Sequence, residues 1–67
     1  MASLCYKKLW KLLIDKNLRK GELQKITGLS QSTMAKLSNN ENVTADTLAR
    51  VCISLDCELN DIAEVIE

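Results

Sequence analysis

The residues best equipped to hold another molecule fall in one run. Residues 28 to 40 read Gly-Leu-Ser-Gln-Ser-Thr-Met-Ala-Lys-Leu-Ser-Asn-Asn. Leu29, Met34 and Leu37 are apolar and recur at helical spacing, and nearly everything else is small and polar. Ser32, Thr33, Ser38, Asn39 and Asn40 are poor helix formers, because their side chains compete for backbone hydrogen bonds. Such a surface is uneconomical unless it touches something. The chemistry it offers is hydrogen bonding through amides and hydroxyls, with Lys36 as its one cation. Catalysis has no such support. The chain has no His and no Gly-rich phosphate loop, and Ser and Lys occur together only as surface types on one helix, so an enzyme is set aside. Cys5, Cys52 and Cys57 form no CxxC pair, so no metal site is expected, and nothing suggests a cofactor or small-molecule ligand. Cys52 and Cys57 read as small buried apolar residues, and Cys5 as an exposed one.

Sixty-seven residues make one domain, spanning 1–67. A chain this short buries only about 60% of its unfolded surface, and such domains often lean on a disulfide, a metal or a partner subunit. An odd cysteine count fits a reducing cytoplasm. The N-terminal apolar patches are broken by Lys7, Lys8 and Lys11, which suits neither a secretory signal nor a membrane span. The net charge is zero, but its distribution is not even. Residues 1 to 20 carry Lys7, Lys8, Lys11, Lys16, Arg19 and Lys20 against Asp15 alone. Residues 41 to 67 carry only Arg50 against seven acids. A basic face can therefore meet phosphates while an acidic end faces away.

The elements that must position these residues are all read as helices, because apolar residues recur at helical spacing and no stretch alternates. A first helix spans about 4 to 16, with Tyr6, Leu9, Trp10 and Leu13 on one face and Leu12 and Ile14 broadening it. A short second helix spans 20 to 26, with Leu23 and Ile26 apolar and Glu22 in its first turn. Gly28 suits the left-handed position just past its end. Ser30 caps a third helix over 31 to 38. A polar loop follows over 39 to 42. Thr44 caps a fourth helix whose Leu48, Val51, Cys52 and Leu55 give the cleanest amphipathic pattern. A fifth helix is expected over 59 to 66, with Leu59, Ile62, Ala63 and Ile66 on one face.

Two short helices joined by a tight Gly-containing turn suggest a helix-turn-helix, Leu23 to Leu37. Gln31 and Ser32 stand at the N-terminal end of its second helix, which points at base edges in such units. Glutamine can pair bidentately with adenine, and serine is a flexible partner. The chain resembles the Cro/CI type of helix-turn-helix domain, also called XRE or lambda-repressor-like, in its small stand-alone bacterial and phage members. The resemblance rests on Tyr6 through Leu13 for the first helix and on Gly28-Leu29-Ser30 through Lys36-Leu37 for the reading unit. It extends to Asn40 through Thr44 for the loop, then to Leu48, Val51-Cys52, Leu55-Asp56-Cys57 and Asn60-Asp61-Ile62. The match covers about residues 6 to 65. The sequence departs from the family in placing Arg19 at the cap of the second helix and Gln24 after Leu23.

The resemblance implies an all-α, compact five-helix bundle with the third helix in the major groove of double-stranded DNA. It implies base reading by Gln31, Ser32 and Lys36, helped by Ser30 or Thr33. Phosphates would be held by Arg19 and Lys20 and by Asn39, Asn40 and Asn42 in the following loop. Read as isolated side chains, the lysines could be a solvated face and the asparagines turn formers. Trp10 and Tyr6, on one apolar face, read as core and not as a stacking platform. The expected role is a transcriptional regulator, a repressor, working as a homodimer through Leu59, Val65 and Ile66 of the fifth helix. The rival is a protein-interaction module using the same bundle without DNA.

Overall fold

In the computed structural model, which describes residues 3–67, four α-helices are closed by a small sheet. The order is β1 (Ser3–Cys5), α1 (Lys7–Asp15), α2 (Lys20–Thr27), α3 (Gln31–Ser38), α4 (Ala45–Leu55), one 3-10 turn (Leu59–Asp61) and β2 (Glu64–Ile66). The core draws on every helix: Tyr6, at the head of α1, with Leu9 and Leu13, then Leu23, Leu29, Met34, Leu37, Leu48, Val51 and Leu55, with Ile62 and Ala63 from the C-terminal segment. Burying one such leucine contributes about 1.5–3 kcal/mol.

The expected fifth helix is not present. Its helical spacing is real, and Ile62 and Ala63 are buried as that spacing requires. However, Asp61 accepts the Glu58 backbone N–H at 2.9 Å and stabilises only one turn. The chain then extends. β2 runs antiparallel to β1, pairing Ser3 with Ile66, Leu4 with Val65 and Cys5 with Glu64. Val65 and Ile66 are β-branched and lie well on a pleated strand. The all-helical reading is corrected accordingly to four helices and a two-stranded sheet. Leu4, expected at the start of the first helix, belongs to β1.

Two further expectations fail on helix geometry. At 100° per residue Ile14 lies about 140° from Leu9, and it is 76% exposed. In α2 the place beside Leu23 goes to Thr27, not Ile26. Thr27 is buried, with its hydroxyl donating to the Leu23 carbonyl oxygen at 2.6 Å. That bond satisfies the buried hydroxyl of Thr27. Cys52, Cys57 and Trp10 line the core only partly, and Cys5 is likewise half-buried.

Three helices end without glycine. Asn17, Asn40 and Asp56 take left-handed φ values of 59°, 55° and 52°, a conformation Asn and Asp tolerate best among non-glycine residues. Each is followed by a backbone bond reaching back into the last turn: Leu18 to Leu13 at 2.8 Å, Glu41 to Lys36 at 2.8 Å and Cys57 to Cys52 at 3.0 Å. These are Schellman ends. Gly28, with φ 70°, ends α2 by the simpler single bond to the Gln24 carbonyl at 2.9 Å.

Candidate nucleic-acid interface

The third helix is held by two buried residues, Met34 and Leu37. Ser30 starts it: its hydroxyl accepts the Thr33 N–H at 3.2 Å and lies 2.9 Å from the Thr33 hydroxyl and 3.2 Å from that of Ser32. The cap role read from the sequence is therefore made. It also occupies part of the hydrogen-bonding capacity of Ser30 and Thr33.

With Met34 and Leu37 inward, 100° steps put Ser32, Ala35, Lys36 and Asn39 on the opposite face, and all four are exposed. Gln31 and Ser38 lie on the flank toward α2. Thr33 turns to the other flank and is half-buried. Gln24 Nε2 donates to Gln31 Oε1 at 3.2 Å, and Lys20 Nζ donates to Ser38 Oγ at 3.2 Å. Between these two contacts lies an open cleft of about 360 Å³, floored by Gly21 and Met34.

The Gln24 contact sets the Gln31 amide. One lone pair of Gln31 Oε1 is taken, leaving the second and both Nε2 hydrogens available. That is the donor–acceptor pair needed to bridge an adenine edge. The sequence marks Gln24 only as a departure from the family pattern and does not mark Ala35 at all. Ala35 was available from the helical wheel, one turn after Ser32 and beside Lys36. Its methyl is the kind of group that contacts a thymine methyl. The partnership of Gln24 needs the packing of α2 on α3 and had no local signal.

The cations cluster around the start of α2. Lys20 Nζ sits 4.3 Å from the centroid of the Trp10 ring, a cation–π contact that fixes its direction without neutralising it. Arg19 precedes α2 in an extended conformation, and its backbone N–H donates to Glu22 Oε1 at 3.2 Å. This is half of a capping box, since a guanidinium offers no acceptor for the other half. Among the described residues the one ion pair joins Asp46 to Arg50 on α4, at 3.4 Å. Arg19, Lys20 and Lys36 have no carboxylate partner.

The three loop asparagines are dispersed. Asn39 lies on the outward face of α3, its amide 3.5 Å from Glu41. Asn40 turns away, with its Oδ1 accepting the Tyr6 backbone N–H at 3.0 Å. The Tyr6 hydroxyl donates to the Glu41 carbonyl at 3.1 Å, and burial pushes its pKa above the usual 10.0 despite a backbone hydrogen bond from Val43 that pulls the other way. Asn42 lies beside Ser3, Leu4 and Val65 at the sheet. The structure thus groups Gln31, Ser32, Lys36 and Asn39 with Arg19 and Lys20 nearby, and ties Asn40 and Asn42 to the β1 side.

Two short helices, an αL glycine turn and an exposed hydrogen-bonding face on the second helix define a helix-turn-helix domain. A family model described as the Cro/C1-type HTH DNA-binding domain matches residues 8–67, and the chain belongs to that family. A crystal structure of transcriptional regulator VanUg, Form II, is 48% identical, with a TM-score of 0.95 over 97% of this chain and 87% of that one. No curated protein matches. No helix among the described residues is long and apolar enough to cross a membrane.

Proposed function

We propose that this chain is a transcriptional regulator, a repressor, that binds double-stranded DNA by sequence with α3 in the major groove. The observation that carries the reading is the outward face of α3, polar and lightly charged, on a helix-turn-helix of a DNA-binding family. Gln31, Ser32 and Lys36 read bases, with Ser30 and Thr33 at the margin. Arg19, Lys20 and Asn39 hold phosphates, and Asn40 and Asn42 stabilise the loop beside them. Phosphate contacts set the register and base contacts set the preference. Repression follows from occupancy of the site. The similarity to a transcriptional regulator over almost the whole chain supports the same role.

A short reading helix with one lysine binds weakly alone, and the proposed working form is a homodimer. Leu59, Val65 and Ile66 are 53%, 70% and 43% exposed, now on a turn and a strand and not on a helix. Leu59 and Val65 border a hollow of about 420 Å³ that Leu4, Leu48 and Ala63 also line. A projecting strand beside a hollow is the self-complementary shape a two-fold contact needs. Half-sites would then lie about 34 Å apart.

Selection of bound duplexes from a random pool tests the proposal. A palindromic consensus is the expected result. A chain that captures no duplex even at low salt would instead be a protein-interaction module, and the regulator reading would fall.

A further inference from the structure

The end of α4 carries a pair of thiols that the DNA-binding reading does not use. Cys52 stands three residues before Leu55, the last of the helix, and Cys57 follows the left-handed Asp56. The Schellman bond from the Cys57 N–H to the Cys52 carbonyl, at 3.0 Å, fixes their separation. Adding the covalent distances from each Cα to that bond leaves the two Cα atoms no more than about 7 Å apart. Beyond that limit two cysteines cannot be bridged without moving backbone. The corresponding pair at the end of α1 is Leu13 and Leu18, the apolar contact this motif usually carries. In α4 the same slot holds two cysteines. Both line an open cleft of about 280 Å³ with Ala45 and Ala49, so a small reagent can enter.

We propose that Cys52 and Cys57 are a dithiol site that closes to an intramolecular disulfide by exchange with a low-molecular-weight disulfide. The Cys52 thiolate attacks one sulfur of the reagent, forming a mixed disulfide and releasing one thiolate, which takes up a proton. The Cys57 thiolate then attacks Cys52 Sγ and displaces the second thiolate, which is protonated in turn. The two protein thiols lose two electrons and two protons in total, and one reagent disulfide becomes two thiols. The order follows from the surroundings of Cys57. Burial first, then the neighbouring Cys52 and Asp61, push its pKa from 9.0 up to about 11, with Lys16 pulling the other way. Cys57 is the poorer first nucleophile. Capping Cys52 removes that neighbour's negative charge and makes the second step easier. The bridge would tie α4 to the turn carrying Leu59, and the site stands whether or not the chain binds DNA.

The test equilibrates the reduced, folded chain with oxidised glutathione, quenches with acid, alkylates and maps the peptides by mass spectrometry. The expected product is a monomer with a Cys52–Cys57 link and an alkylated Cys5, formed at a rate independent of protein concentration. Cys57→Ser should stop at a glutathione adduct on Cys52. The inference is overturned if all three thiols stay alkylatable. It is also overturned if stable adducts accumulate on both residues of the wild-type chain, or if bridges form through Cys5 or between chains.

Discussion

Net charge predicts no attraction to DNA, whereas the arrangement of cations predicts a steep one, and salt dependence separates the two. Arg19, Lys20 and Lys36 are exposed, have no carboxylate partner and surround the outward face of α3. Arg19 and Lys20 neutralise two phosphates per subunit, which gives a slope of log K on log salt of about −1.8, and about −3.6 for a dimer. Raising salt from about 50 to 200 mM should then weaken dimer binding roughly 150-fold. Arg19→Ala removes one phosphate contact per subunit, so its slope should fall to about −1.8 and the same salt step should cost only roughly 12-fold. Arg50→Ala is the control, because Asp46 already partners Arg50. Fluorescence anisotropy of a labelled selected duplex across a potassium chloride series measures all three. A wild-type slope near zero would refute the phosphate assignment. An unchanged slope in Arg19→Ala would remove Arg19 from the phosphate contacts.

Three other outcomes are expected. Gln24→Ala should leave the urea midpoint nearly unchanged but blunt discrimination at the base read by Gln31, measurable by repeating the duplex selection, and an unaltered consensus would show that Gln24 orients nothing. Tyr6→Phe loses the partly buried bond to the Glu41 carbonyl and should lower unfolding stability by about 1 kcal/mol in urea titrations, and a neutral result would mean that water replaces that bond. Cys57 and Tyr6 both hold their protons more tightly folded than unfolded. Stability should therefore be complete below about pH 9 and decline as pH rises toward 11, by up to ~1.4 kcal/mol per pH unit for each group. Cys57→Ser should start that decline later, and a profile identical to wild type would show that the thiol does not contribute.

What the sequence reveals about this fold depends on how far apart the interacting residues are. Ser30 and Thr44 announce their caps because the N–H each accepts lies three residues ahead. Gly28 announces its turn because the steric reason is local. The stripe of α4 is legible because it repeats within one element. The β1–β2 pair was not legible, since Ser3 and Ile66 are neighbours only after the bundle has formed. Apolar spacing over 59 to 66 then favoured a helix by default. The same limit applies to the interface. Hydroxyls and amides at residues 30 to 33 are visible as types, but the roles of Gln24 and Asn40 depend on which helix lies beside them. Ile26 reads as core from spacing alone, yet Thr27, whose hydroxyl bonds its own helix backbone, takes the core position.

The pairing of β1 with β2 brings the first and last described segments to one edge of the molecule. Anything appended before Ser3 or after Ile66 would emerge beside Val65 and the hollow it borders. An affinity tag at either end would therefore act as a wedge at the surface proposed to join two copies. It would bias measured stoichiometry toward the monomer from whichever terminus it was attached. A reporter linked through the far face of α4, at the exposed Ile53, would leave that edge open.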